Sequence, residues 1–353
     1  MIVEREIAWR SPLSAFAPLA TVDGAMLLHG GAAARDARWS FIVAYPVRQI
    51  ESRGVAVFID GERVDTTPFA ALSQLHAERR AMAAPKCGAP FVSGFVGFAG
   101  YESGRFVEPT ATGPRSPYAL ADFYFAAFDA VAAFDRIDRR TFLIGRSEES
   151  IAGMFAAIGE EREGSASAFH FDRLSSNFSE SAYRRAVAEV VDRIRRGDLF
   201  QANISQRFDA AAAAIDPFDL FCAISAESTA PYGAFLSFEN AKILSFSPER
   251  FFSVRGVDQG RFKISAEPIK GTRPRGDTAE DDARFLASLL ADPKDRAENI
   301  MIADLVRNDL SKVCEDHSIN EDAICEPVMH ETVHHLVSRI SGMLRPDVNA
   351  AAA

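Results

Sequence analysis

A chain of 353 residues with 39 Lys and Arg against 49 Asp and Glu carries a formal charge of −10, and 48% of it is hydrophobic and 25% charged. That composition belongs to a globular protein with enough apolar material for one large domain or two, and it excludes a disordered chain and a small disulfide scaffold. The acidic balance, with Arg196, Arg207, Arg273 and Arg275 scattered rather than massed, also lacks the footprint of a nucleic-acid binder.

Cys87, Cys222, Cys314 and Cys325 stand far apart except for the last pair, whose spacing matches no CxxC metal or redox motif. The thiols are therefore read as reduced and the protein as cytoplasmic. Glu4 and Glu6 interrupt the N-terminus where a signal peptide needs an apolar run. The most apolar stretch, Ala119 to Phe134, contains Asp122 and Asp129 and is shorter than the ~20 residues of a membrane span. It reads as core, and no membrane partner is expected.

From Met26 to about Phe142, short runs rich in Val, Ile, Phe and Tyr alternate with turn residues, as in Trp39 to Tyr45, Gly54 to Asp60 and Phe91 to Gly100, and predict strands. One helix is expected among them, from about Phe69 to Met82. The charged, aperiodic stretch Glu160 to Ser167 marks a change of composition, which places a β-rich first domain at 1–160, a linker at 161–176 and a second domain at 177–353.

In the second half Tyr183, Val187, Val190, Val191 and Ile194 recur at helical spacing between a candidate cap, Ser179, and a stop, Gly197. Phe200, Ala202, Ile204 and Phe208 then alternate with Gln201, Asn203, Ser205 and Arg207, the period of a strand whose polar row faces either solvent or a cleft. Strands at Ala234 to Phe238, Ile243 to Phe246 and Phe251 to Val254 precede two helices, about Thr278 to Leu290 and Asp295 to Leu310. The class is α+β, with antiparallel meanders in the first half.

Three segments carry more polar and backbone-special residues than packing demands. In Phe246 to Phe252, Pro248 breaks the ladder and leaves Glu249 beside Phe251 and Phe252. A carboxyl among aromatic rings has a raised pKa and suits a proton donor; a surface glutamate paired with Arg250 is the plainer alternative. In Glu267 to Gly276, Lys270 precedes Gly271 and Thr272, a combination that allows close backbone approach to an anion. A lysine becomes a nucleophile when burial or neighbouring cations, here Arg273 and Arg275, depress its pKa; a solvated basic loop is the alternative.

In Asp292 to Asp309, Glu298 falls on one helical stripe with Met301, Ile302 and Leu305, so its carboxylate needs a partner, either an ion pair or Mg²⁺. His330 to His334 matches the bare HExxH zinc pattern, but Thr332, Val333, Leu336 and Val337 favour a strand, which cannot pinch one metal between residues four apart. One of His330, His334 and His335 is expected to line a polar cleft and the others to be exposed.

Taken in order, GDLFQANISQRF (197–208), SPERFF (247–252), PIKGTRPRG (268–276), DRAENIMIADLVRNDLSKVC (295–314) and VHHLVSRISG (333–342) resemble the chorismate-utilising enzymes. Ala25 to Gly30 and Gly94 to Glu102 extend the likeness through the first half, so it runs nearly end to end. The resemblance is strongest to the component I subunits that make 4-amino-4-deoxychorismate, on the way to p-aminobenzoate and folate. It implies two facing, mainly antiparallel β-sheets flanked by helices, with the site in the cleft.

It also implies Lys270 as nucleophile, since anthranilate synthase component I typically has alanine there, and Glu249 as proton donor to the departing hydroxyl. Gly271, Thr272 and His335 match substrate-lining positions, and Glu298 matches one of two Mg²⁺-binding glutamates. Chorismate and a separate glutamine amidotransferase, the source of ammonia, are the implied partners; the chain has no glutaminase-like Gly-x-Cys-x-Gly element. Anthranilate synthase component I and an inactive homologue that only binds partner or ligand are the alternatives. Two departures stand out. Gly30 replaces a serine of the tryptophan pocket of some relatives. The family also continues past VHHLVSRISG with a glycine-rich stretch and the second Mg²⁺ glutamate, whereas this sequence stops at Ala353, so a C-terminally truncated chain with little synthase activity is expected.

Overall fold

The computed structural model describes all of the chain except residues 1, 31–36, 80–81, 111–117, 119, 161–168, 170, 172, 212–214, 229, 258–259 and 331–332. In chain order its first elements are β1 (Val3–Ile7), α1 (Pro12–Phe16), β2 (Met26–His29), β3 (Trp39–Val43), β4 (Arg48–Arg53), β5 (Ala56–Ile59) and β6 (Glu62–Val64). They continue with α2 (Pro68–Glu78), β7 (Gly94–Ala99), β8 (Phe123–Phe128), β9 (Ala130–Asp135), β10 (Arg140–Gly145) and α3 (Glu148–Ala157). Next come β11 (Ser175–Ser176), α4 (Glu180–Arg196), β12 (Phe208–Asp209), α5 (Pro217–Glu227), β13 (Tyr232–Phe238), β14 (Ala241–Ser247), β15 (Ser253–Gly256), β16 (Phe262–Ala266) and β17 (Ile269–Pro274). The last are α6 (Ala279–Ala291), α7 (Pro293–Ser311), β18 (Asn320–Met329) and β19 (Val333–Met343).

Contacts gather these into two compact units, Met1–Gly164 with Ile224–Ala353, and Ser165–Ala223. The larger unit holds a seven-stranded antiparallel sheet of order β1-β10-β9-β3-β2-β13-β14 and a five-stranded one of order β6-β5-β4-β8-β7. These two sheets face each other: Met26, Val43, Val131 and Ala133 of the first interleave with Val96, Ala126 and Phe128 of the second. The apolar run read as core supplies β8 and β9, and every residue of β9 is buried. No helix is long and apolar enough to cross a membrane among the described residues.

Helices close the outer faces. Ala71 and Leu75 of α2 pack on Ile50, Val57 and Phe123, while Ile151 and Met154 of α3, which lies along β9 and β10, are buried. Thr67 caps α2, its hydroxyl accepting from the Ala70 N–H at 3.2 Å, and the helix ends at Glu78, short of the expected Met82. β2 and β13 lie on either side of the boundary expected near 160, yet they pair, Met26 opposite Leu236 and His29 opposite Gly233, so the seven-stranded sheet runs across it. The proposed linker falls largely on residues outside those described.

The third sheet, β15-β16-β19-β17 with β18 on the other edge of β19, carries α6 and α7 on one face. Ala303 and Leu310 of α7 pack on Ile264 and Ile340, and Leu289 of α6 packs on Cys325 and Leu336. Burial is the largest cause of a raised pKa at all four cysteines, and Cys222 is pushed up to about 11. That agrees with four unreactive free thiols.

In the smaller unit, Ser179 accepts from the Ala182 N–H at 3.3 Å and Gly197 ends α4 in the left-handed region, both as expected. The alternating segment that follows is not a strand. Residues 201–207 have no regular structure, and only Phe208 and Asp209 pair, with Ser176 and Ser175. Phe200 is 85% exposed; alternation makes a strand only where a ladder and a covered face receive it.

His29, at the end of β2, is held down to a pKa of about 4 by burial and by the Arg136 charge. Between that value and the ordinary 6.5 the unfolded chain binds the proton and the folded one does not, so stability falls as pH drops through this window. About 3 kcal/mol is expected to be lost from pH 7 to pH 4 through this group. His29→Gln should flatten that part of a urea-unfolding profile; an unchanged pH slope would remove His29 as its source.

Candidate active site

The candidate residues collect on β17, β19, α7 and the turn after β14. Ser247 ends β14; its hydroxyl donates to the Glu249 carbonyl at 3.0 Å, which stabilises the turn that Pro248 begins. Glu249 is exposed, and its Oε1 accepts from the Ile269 N–H at 3.0 Å, one residue before Lys270. Of the two rings expected beside it, Phe251 is 86% exposed and Phe252 packs on the core of the third sheet. Nor does Arg250 pair with it: the Arg250 guanidinium lies 3.0 Å from Glu267.

β17 carries an irregularity that sequence periodicity cannot show. Ile269 pairs with Val337 and Thr272 with His335, so three steps on β17 match two on β19, and Lys270 and Gly271 together oppose Leu336. This is a β-bulge, with Gly271 at a φ of +87°. A side chain at Gly271 would be strained there and would lie 3.0 Å from the Asp295 Cβ and 3.1 Å from Leu289 Cδ1. Glycine thus lets α7 approach the bulge that aims Lys270.

Lys270 is half-buried and, among the described residues, makes no ion pair or hydrogen bond. Arg273 and Arg275, expected as its cationic neighbours, are matched by carboxylates instead. Arg273 bonds Asp292 and Asp295 at 2.8 Å each, and Arg275 grips Asp282 at 2.7 and 2.9 Å and donates to the His330 carbonyl at 2.7 Å. Arg275, then the Gly276 N–H and His334, hold Asp282 far below the usual carboxylate range. These acidic partners were not foreseen; the signal was the run of aspartates opening both helices.

Thr272 and His335 do meet, Oγ1 to Nδ1 at 3.0 Å. Burial first, then the His330 ring 5.2 Å away, push His335 below the ordinary histidine value, opposed by a hydrogen bond to the Gly271 backbone. A neutral imidazole therefore faces the bulge near pH 7. His334, one of the three histidines expected to line a cleft or be exposed, is instead fully buried because β19 turns it to the opposite face, where Nε2 meets Asp282 at 2.8 Å. The HExxH segment is not helical from Val333 onward; Glu331 and Thr332 lie outside the described residues.

Glu298 departs from expectation in its face. The buried stripe of α7 is Asn299, Ala303 and Leu310, with Val306 packed beside them, whereas Leu305 is 55% exposed. Glu298 sits about 100° away from that stripe, its side chain 35% exposed and paired with Lys294 at 2.9 Å. Among the described residues no group of three His, Cys, Asp or Glu is placed to hold a metal. A Mg²⁺ bound through one or two carboxylates plus substrate oxygens needs no such group, so Glu298 suits that mode.

Gly30 lines a separate cavity of about 540 Å³ with His29, Trp39, Tyr232 and Arg255 among its walls. A Cβ at Gly30 would lie 2.5 Å from the Ala37 carbonyl oxygen, so this backbone has no room for a serine side chain there.

The model of the chorismate binding enzyme family matches residues 26–353. Aminodeoxychorismate synthase component 1 of Klebsiella aerogenes is 31% identical over 342 residues, 95% of this chain and 74% of that protein. Anthranilate synthase component 1 of Thermus thermophilus is also 31% identical, over 354 residues, 95% of this chain and 73% of that protein. The crystal structure of anthranilate synthase component I from Streptococcus pneumoniae matches with a TM-score of 0.75 at 25% identity, over 91% of this chain and 72% of that one.

The chain belongs to the chorismate binding enzyme family. It is a chorismate-utilising enzyme of the anthranilate and aminodeoxychorismate synthase type, and identity to the two kinds of synthase does not separate them.

Proposed function

We propose that this chain is component I of an aminodeoxychorismate synthase, which converts chorismate and ammonia to 4-amino-4-deoxychorismate. The observation that carries the reading is Lys270 at the extra position of a bulge, where the resemblance implies lysine for this activity and alanine for anthranilate synthase. In this reading Lys270 Nζ bonds to C2 of chorismate, the double bonds shift, and the C4–O bond breaks. The hydroxyl leaves as water with a proton from Glu249, which the Ile269 N–H holds one residue from Lys270. Ammonia then bonds to C4, the double bonds return, the C2–N bond breaks to release Lys270, and the ammonium formed at C4 returns a proton to Glu249. Chorismate and ammonia become product and water.

Gly271, Thr272 and the neutral His335 provide the wall along which the substrate is oriented. Glu298 is the residue that would hold Mg²⁺, which when bound supplies a charge to anchor a chorismate carboxylate. The component 1 names of the relatives support a second component as partner; the reading assigns it as a glutamine amidotransferase that delivers ammonia.

Anthranilate synthase component I is the second reading, favoured by the equal identity of the Thermus enzyme. Prolonged incubation of the purified chain with chorismate, ammonium and Mg²⁺, with products separated by mass and retention, decides by product ratio rather than rate. Mainly 4-amino-4-deoxychorismate is expected; mainly anthranilate overturns the assignment.

A further inference from the structure

β19 is flanked by irregular strands at one level. On β17, Lys270 and Gly271 share Leu336. On β18, pairing steps from Ala323 opposite Arg339 to Glu326 opposite Val337, so Ile324 and Cys325 share Ser338, with Cys325 at a φ of 54°. Bulges displace backbone groups from the ladder, and buried groups must find partners elsewhere. The Ser338 N–H donates to Pro268 at 3.1 Å. Alternate residues of a strand turn their backbone to the same neighbour, so the Leu336 carbonyl also faces β17, where it meets the bulge.

Asn299 satisfies both sides. Fully buried on α7, its Nδ2 donates to the Leu336 carbonyl at 2.8 Å. Its Oδ1 accepts from the Ser338 hydroxyl and from the Cys325 thiol at 3.5 Å, while Ser338 Oγ accepts from the Cys325 N–H at 3.0 Å. Asn299 directly follows Glu298, and one turn earlier Asp295 bonds Arg273 and closes over Gly271. A single amide therefore joins the helical turn of Glu298 to the strand that receives the bulge of Lys270.

We infer that Asn299 is a positioning residue, which fixes the α7 turn bearing Glu298 against the bulge bearing Lys270. The inference rests on the roles proposed above for those two residues. An amide offers a donor and an acceptor in one plane, which aspartate and leucine cannot both match.

The test compares Asn299→Leu, which keeps the buried volume, with Leu310→Ala, which loosens the packing of the same helix without touching the amide. Each is measured for unfolding temperature, for the rise in that temperature with Mg²⁺ and chorismate, and for kcat with ammonium. Asn299→Leu is expected to lose the ligand-induced rise and about 100-fold in kcat while folded, the effect of an ångström of misplacement. Leu310→Ala should melt lower yet keep both. Wild-type behaviour of Asn299→Leu overturns the inference, as does an equal loss in Leu310→Ala. Should Asn299→Leu fail to fold, Ser338→Ala, which removes the hydroxyl from Oδ1 and from the Cys325 N–H but keeps the Nδ2 bond to Leu336, is scored the same way. Product identity in the wild type is scored separately: mainly anthranilate refutes the proposed activity, and Asn299 is then judged on the ligand-induced rise.

Discussion

Lys270→Ala is expected to abolish 4-amino-4-deoxychorismate formation, by on the order of 10³-fold or more as for loss of other covalent nucleophiles, with the unfolding temperature unchanged. Stability is spared because Lys270 has no ion pair or hydrogen bond among the described residues, so its removal strands no carboxylate. Arg275 differs: truncating it would leave Asp282 without its principal counter-charge. Once the covalent route is gone, ammonia can still add directly at C2, so residual turnover should shift toward the isomer carrying nitrogen there. Wild-type protein quenched with chorismate in the absence of ammonia should yield a chorismate-derived adduct on the peptide containing Lys270, and the variant none. A variant that keeps the wild-type product ratio would end Lys270's role as nucleophile.

The parts of this site that were legible before any coordinates are those that local chemistry determines. Ser179 and Gly197 announce helix ends because caps satisfy backbone groups within a few residues. Lys270, Gly271 and Thr272 are conspicuous because a lysine beside a glycine has little packing purpose. What stayed hidden depends on partners distant in sequence. The bulge at Lys270 exists only through the register of β17 on β19, and the segment Asn320–Met329 hides as a strand because it is a polar edge with its own bulge. Residues 200–208 show the converse, with strand-like alternation and no strand.

The α7 stripe was misjudged by one residue, since an apolar count assigns Leu305 inward and overlooks Asn299, whose three polar contacts stabilise it in the core. A buried polar residue at spacing with Ala303, Val306 and Leu310 was the available signal.

That shift of face gives Glu298 a sharper test than burial would have. A glutamate off the packed stripe, 35% exposed and paired with an exposed lysine, contributes little to stability, so its replacement should report on ligand rather than fold. Glu298→Gln is expected to keep the unfolding temperature and to raise the Mg²⁺ concentration needed for half-maximal turnover by about 100-fold, because the neutral amide keeps the shape and loses the charge that a hard cation requires. Lys294 sharpens the contrast. Its ammonium, 2.9 Å from the Glu298 carboxylate, occupies the charge that Mg²⁺ would claim. An exposed helical pair of this kind is weak, so Lys294→Ala should lower the Mg²⁺ requirement only modestly, by about twofold, the opposite direction from Glu298→Gln. Titrating both variants with Mg²⁺ at fixed chorismate separates the outcomes: opposite shifts support a ligand at Glu298. An unchanged requirement in Glu298→Gln, or a drop in its unfolding temperature, would make the residue a surface ion pair and nothing more.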